Sequence, residues 1–129
     1  MGLSTAVLSK AVDSLLEAMD LHIRASEGSP EQRAFRDASI QRFEYCIELS
    51  WRVAMKLLGS TTAAAKPAVR EMARSNLIST PSAWIEFIEA RNNTSHSYDE
   101  SVAKKVFAAI QNFLPEVKSL QIALQNLSK

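Results

Sequence analysis

Between Ser29-Pro30 and Gly59 the chain carries no glycine and no proline, and its apolar residues return with a helical period at Ile40, Phe43, Ile47, Trp51, Ala54 and Leu58. Residues three and four apart lie on one face of an α-helix, so this spacing writes one continuous apolar stripe. A strand would need strict alternation, and no such pattern occurs in the sequence. Ser29 precedes Pro30 at the first helical position, with Gln32 three residues on, a capping-box arrangement. Gly59 suits the C-terminal cap, where a left-handed backbone is common. At 1.5 Å per residue such a helix is on the order of 40 Å long, which sets the height of any bundle built on it.

The remaining segments fit around that rod. Ser4 to about Arg24 places Leu8, Val12, Leu15, Leu16, Met19 and Ile23 on one side, with Lys10, Asp13, Glu17 and Asp20 on another. Residues 59–66 read as a connector of small residues. Pro67 is expected to start a short helix carrying Val69, Met72 and Ala73, ending near Asn76. Thr80-Pro81 is expected to cap a fourth helix with Trp84, Phe87 and Ile88 on one face, ending at Asn92-Asn93. Ser97 with Glu100 predicts a second capping box, opening a last helix whose stripe is Val102, Val106, Ile110, Phe113, Val117, Leu120 and Leu124. Pro115 is expected to kink or interrupt it. The fold class is therefore all-α: an up-and-down four-helix bundle with a short extra helix, about five helices in one domain spanning 1–129.

Composition narrows the function. The net charge is +1, so broad electrostatic coating of nucleic acid is not expected. Cys46 is the one cysteine, which suits a reducing, cytoplasmic setting; beside the apolar stripe it reads as a buried thiol without chemistry. With only two histidines, zinc-ligand spacing is absent, and neither a metal nor a cofactor is expected. No apolar run approaches the roughly 20 residues of a membrane span, and no secretory leader pattern is visible.

The chemistry concentrates in Arg91-Asn92-Asn93-Thr94-Ser95-His96-Ser97-Tyr98. Arg91 stands three residues beyond Ile88 and seven beyond Trp84, so it extends an apolar stripe rather than a solvent face. Arginine presents a fixed fork of donors to a phosphate. Histidine exchanges a proton near neutral pH. A tyrosine hydroxyl can bond a ligand or accept a transferred group. The plain alternatives are an ion pair from Arg91 to Glu86 or Glu89, a solvated His96, and a Tyr98 packed in the first turn of the last helix. Elsewhere, Glu44, Glu48 and Arg52 read as a surface ion-pair ladder. His22 reads as a packed or edge histidine, and Trp51 and Trp84 as core or subunit-interface residues.

The run Arg91-Asn92-x-x-Ser95-His96-x-Tyr98-x-Glu100 resembles the signature of HEPN-domain proteins (higher eukaryote and prokaryote nucleotide-binding), and more narrowly the bacterial nucleotidyltransferase substrate-binding proteins. Gln41-Arg42-Phe43-Glu44, Glu48-Leu49-x-Trp51 and Trp84 belong to the same resemblance, which covers about residues 36–120. It implies a helical bundle that forms a homodimer and works with a minimal nucleotidyltransferase encoded nearby, in a toxin–antitoxin-like module. It further implies a metal-independent endoribonuclease site made of Arg91, Asn92 and His96, with RNA or a nucleotide in the dimer cleft. Tyr98 would receive nucleotides from the partner enzyme and so silence the toxin. Two other readings stay open: a non-catalytic nucleotide- or substrate-binding subunit of the nucleotidyltransferase, and a purely structural helical adaptor.

Overall fold

In the computed structural model, which describes residues 3–127, helix α1 spans Thr5–Arg24 and starts where Ser4 Oγ accepts a hydrogen bond from the Val7 amide at 3.2 Å. Helix α2, Pro30–Leu58, begins at Ser29 as the sequence predicts, Ser29 Oγ accepting from Gln32 N at 3.0 Å, but Gln32 Oε1 takes the Gly28 amide at 2.8 Å while the Ser29 amide bonds Ser26 O. Its end is a Schellman turn. Gly59 takes a left-handed backbone at φ 68°, its N–H bonds Lys56 O, and Ser60 N bonds Met55 O.

Helix α3 spans Ala65–Arg74 and starts two residues ahead of Pro67, which falls in the first turn, where its missing N–H leaves no gap. Asn76, at φ 61°, closes α3 by the same turn geometry, with Leu77 N on Met72 O and Leu77 buried beneath. Helix α4 spans Pro81–Asn92 without a side-chain cap from Thr80, whose carbonyl alone takes up the Ala83 and Trp84 amides. A 3-10 turn, Thr94–His96, leads to helix α5, Glu100–Leu127.

Two expectations about α5 need correction. The cap is Asp99, not Ser97: Asp99 Oδ1 accepts from Ser101 N at 2.9 Å and Val102 N at 3.4 Å, and its carbonyl takes Ala103 N. A carboxylate near a helix start also suits the helix dipole. Nor does Pro115 interrupt the helix, which runs unbroken through it. Pro115 lies on the exposed side, while Phe113 and Val117, two residues to either side, are fully buried, so packing holds the helix across the lost bond.

All described elements are helical, and four of them, α1, α2, α4 and α5, make the bundle, with α3 against α2 and α4. Cross-links fix the directions. Lys56 Nζ donates to Leu3 O at 2.8 Å, Arg42 to Ser14 O at 2.7 Å, and His22 Nδ1 meets Gln32 O at 3.1 Å, so α1 and α2 are antiparallel. Gln121 bonds Ser9, and the Phe107 ring lies 4.5 Å from His22, so α5 is antiparallel to α1 and parallel to α2. In the core Phe113 receives Phe43, Trp84 and Phe87 edge-on, at centroid separations of 5.2, 5.6 and 5.4 Å. Such pairs are each worth about 0.5–1.5 kcal/mol beyond their buried area. This cluster fixes α4 against α2 and α5, and with it the position of Arg91 one turn beyond Ile88. Trp51 and Trp84 are both buried within the single chain.

Candidate functional site

Arg91 projects from the last turn of α4 toward α2. Its Nε lies 3.1 Å from Glu48 Oε1, so its partner is neither Glu86 nor Glu89; Glu89 pairs with Lys66 instead. The second oxygen of Glu48 holds Arg52 Nε at 3.2 Å, and the Arg52 guanidinium lies 4.5 Å from the Trp51 ring centroid. One carboxylate thus bridges two arginines, one on its own helix and one from α4. The ladder read from Glu44, Glu48 and Arg52 is realised only in its second step; among the described residues Glu44 forms no ion pair.

The Arg91–Glu48 contact is an ion pair without hydrogen-bond geometry, since the buried Nε has no hydrogen-bond acceptor. Among the described residues the two Nη groups of Arg91 make no hydrogen bond either, while the side chain keeps 36% of its surface exposed. An arginine held at its inner edge, with its outer donors unbonded, is arranged to take an oxyanion.

The chain beyond Arg91 is fixed by its own hydrogen bonds. Thr94 is buried, and its hydroxyl donates to Arg91 O at 2.8 Å, closing the helix end. His96 N bonds Asn93 O, Ser97 N bonds Thr94 O, and Asp99 N bonds His96 O, in a succession of tight turns. Asn92, His96 and Tyr98 are exposed on this hydrogen-bonded backbone, Tyr98 to 86%. Tyr98 therefore precedes α5 rather than packing in its first turn. Its ring sits edge-on to His96 at 6.3 Å.

His96 opens onto a groove of about 580 Å³ between α4 and α5, whose walls include Glu86, Glu89, Asn93, Lys105 and Val106. Arg91 does not line it. Within one chain the loop therefore presents Arg91 on the α2 side and His96 on the α5 side, two chemical groups flanking one turn. Cys46 is buried and chemically quiet, its thiol pushed up to about 12 by desolvation. Among the described residues no three His, Cys, Asp or Glu side chains gather as a metal-ligand cluster. No described helix is long and apolar enough to cross a membrane.

Sequence reasoning missed two residues that build this site. Glu48 carries no local sign that it meets Arg91, because the contact joins two helices. Thr94 was visible only as a loop residue; a threonine three beyond a helix-ending arginine is the sole signal for its capping bond.

Comparison with known proteins gives a consistent picture. A profile of the family described as nucleotidyltransferase substrate binding protein like matches residues 3–126. A Haemophilus influenzae protein named probable ribonuclease HepT is 35% identical over 86 residues, covering 60% of this chain; the match spans 59% of that relative's length. A Haemophilus influenzae structure, described as the fold of a substrate binding domain of a nucleotidyltransferase, superposes with a TM-score of 0.81 at 29% identity, over 94% of this chain and 98% of that one. A Thermus thermophilus crystal structure superposes with a TM-score of 0.71 at 25% identity, over 92% of this chain and 99% of that one.

Proposed function

Because the chain belongs to the nucleotidyltransferase substrate binding protein-like family, we propose that it is the partner of a minimal nucleotidyltransferase and a metal-independent endoribonuclease, silenced by nucleotidyl transfer to Tyr98. The observation that carries this reading is the loop itself. Arg91 offers unbonded donors, and His96 and Tyr98 stand exposed two residues apart on a backbone closed by its own turns.

RNA supplies its own nucleophile. His96 takes the proton of a 2′-hydroxyl, that oxygen attacks the adjacent phosphorus, and the bond to the 5′-oxygen breaks, leaving a cyclic phosphate. Arg91 stabilises the charge that builds on the phosphate oxygens, and Asn92 orients the strand. The loop of one chain offers one imidazole, on the far side of the turn from Arg91. A two-fold dimer places a second set opposite the first and supplies the acid that protonates the leaving oxygen. Tyr98 is the modification point, its hydroxyl exposed at the tip of the loop where a partner enzyme can reach it. Nucleotides added there put phosphate beside His96 and block RNA by charge and bulk.

The separation of Arg91 and His96 within a single chain favours a second reading, in which the loop holds a nucleotide for the nucleotidyltransferase without cleaving RNA. Co-expression with a neighbouring nucleotidyltransferase, followed by intact-mass measurement and growth scoring, tests the leading reading. The expected result is toxicity of the chain alone, relief by the partner, and added nucleotide mass on wild type but not on Tyr98→Phe. A fully neutralised chain of unmodified mass contradicts the transfer to Tyr98. A chain that never harms growth and cleaves no RNA supports the binding reading.

A further inference from the structure

The stretch that carries Tyr98 into α5 has little packing of its own. Tyr98, Asp99, Glu100 and Ser101 are all exposed, and the first buried residue of α5 is Ala103. Glu100 faces a concavity of about 460 Å³ between α1, α2 and α5, lined also by Arg33, Arg36, Lys104 and His22, so it reaches over open space rather than onto the core. The bonds of Asp99 stay within the same chain segment, to the Ser101 and Val102 amides. One contact crosses to another helix: Arg36 of α2 donates to both Glu100 oxygens, Nη1 to Oε2 at 2.5 Å and Nη2 to Oε1 at 3.2 Å. Among the described residues no other hydrogen bond or ion pair joins residues 97–101 to α1, α2 or α4.

Arg36 is placed to hold that contact. Its side chain is only 14% exposed, against 57% for Glu100, and its Nε lies 3.7 Å from Asp37 on its own helix. A guanidinium that bonds both oxygens of a carboxylate fixes orientation as well as distance. The Glu100 carboxyl is held below the ordinary range first by the Arg36 hydrogen bond, the charges of Lys104 and Arg33 adding less. Neither of those cations replaces Arg36 as a tie. Lys104 belongs to α5 itself, and Arg33 Nη1 donates to Gly28 O at 3.3 Å. The loop is thus pinned to α2 at both ends, by Glu48 on Arg91 and by Arg36 on Glu100.

We propose that Arg36 and Glu100 are positioning residues for Tyr98, their paired contact setting where its hydroxyl stands for the partner enzyme; this rests on the reading of Tyr98 as the acceptor of nucleotides. Tyr98 is two residues, at most about 7 Å of extended chain, from Glu100. Its own side chain supplies no anchor beyond the edge-on contact with His96. In the transfer the Tyr98 oxygen attacks the α-phosphorus of a nucleoside triphosphate, the bond to the β-phosphate oxygen breaks and pyrophosphate leaves. The phenolic proton passes to a base of the partner. Such a displacement needs the attacking oxygen in line, and a misplacement of about 1 Å can cost about 100-fold in rate. Neither residue touches the reacting atoms; both act through the first turn of α5.

Amide hydrogen exchange on Glu100→Gln, a near-isosteric change at an exposed position, reads the contact itself. The Ser101 and Val102 amides are expected to exchange at least fivefold faster than in wild type, with the Ala103 to Phe113 stretch otherwise protected as before. Intact-mass time courses with the purified neighbouring nucleotidyltransferase and an equimolar mix of the four nucleoside triphosphates then give kcat and KM for the chain as substrate. Glu100→Gln and Arg36→Gln are each expected to lower kcat at least fivefold with KM within twofold, a split that general destabilisation would not produce. The double variant is expected to fall no further than the singles, since all three break one contact. A wild-type chain that takes up no nucleotide overturns the reading of Tyr98 and this inference with it. A modified wild type beside a Glu100→Gln chain of equal kcat, unchanged exchange at Ser101 and Val102, or single effects that add in the double variant overturns the positioning role alone.

Discussion

Replacing Glu48 by glutamine removes one charge and releases two arginines at once. In a medium of effective dielectric about 20, two unit charges 4 Å apart attract by about 4 kcal/mol, which is a ceiling. Desolvation and the ordering of two long side chains reduce it, and exposed pairs measure only about 0.2–1 kcal/mol. The Arg91–Glu48 pair lies between these limits, with side chains 36% and 27% exposed and no hydrogen-bond geometry at Nε. A coupling of about 1 kcal/mol is expected, toward the upper end of the exposed range. Urea unfolding of wild type, Glu48→Gln, Arg91→Gln and the double variant measures it as a double-mutant cycle. With a denaturant slope of about 2 kcal/mol/M, that coupling is a midpoint difference of about 0.5 M. Glu48→Gln is also expected to cost more than Arg91→Gln, because it alone releases Arg52. Additive effects within about 0.3 kcal/mol would refute the idea that Glu48 tethers Arg91.

Three further outcomes follow from named contacts. Cys46, desolvated with its thiol near 12, is expected to resist a thiol reagent at pH 8 in the folded chain and to react fully in denaturant; fast labelling of native protein would contradict its burial. Asp99→Ala is expected to lower the urea midpoint more than Ser97→Ala, and equal effects would return the α5 cap to Ser97. The Glu71 carboxyl is held below its ordinary 4.5 first by the Thr62 hydroxyl, then by Ser60, so the folded chain takes up that proton less readily than the unfolded one. Its contribution is present above pH 4.5 and lost as pH falls through the depressed folded value, so the stability gap between wild type and Glu71→Gln, followed by denaturation at several pH values, is expected to narrow on acidification. A gap that widens toward low pH would reverse that assignment.

Much of this fold is legible in short-range pattern. Ser29 with Gln32, Pro30 and Gly59 fix α2 within a residue because each acts on backbone groups three to five positions away, and the apolar stripes name the core that Phe113 organises. The start of α5 is harder to read because two good capping residues stand two apart. Ser97 matches a capping box, but Asp99 offers a carboxylate that accepts from two amides, and it wins, freeing Glu100 to pair with Arg36. That choice moves Tyr98 out of the helix and into solvent. Arg91 is legible as a residue that needs an explanation, at the end of a buried stripe. Its partner is not, since Glu48 sits on another helix and nothing in local spacing encodes which helices become neighbours. The same limit hides the pocket of Arg33, Arg36, Lys104 and His22, which exists only once three helices are assembled.

The proposed function requires Arg91 and His96 to act on RNA without a metal. Purified chain incubated with single-stranded RNA in excess chelator, beside Arg91→Ala and His96→Ala, puts this to the test. The expected result is cleavage by wild type that leaves cyclic phosphate ends, with each variant slowed by about 100- to 10,000-fold, the range for loss of a positioned acid or base. Cleavage that requires added magnesium, or a His96→Ala chain that cuts as fast as wild type, would rule out this site.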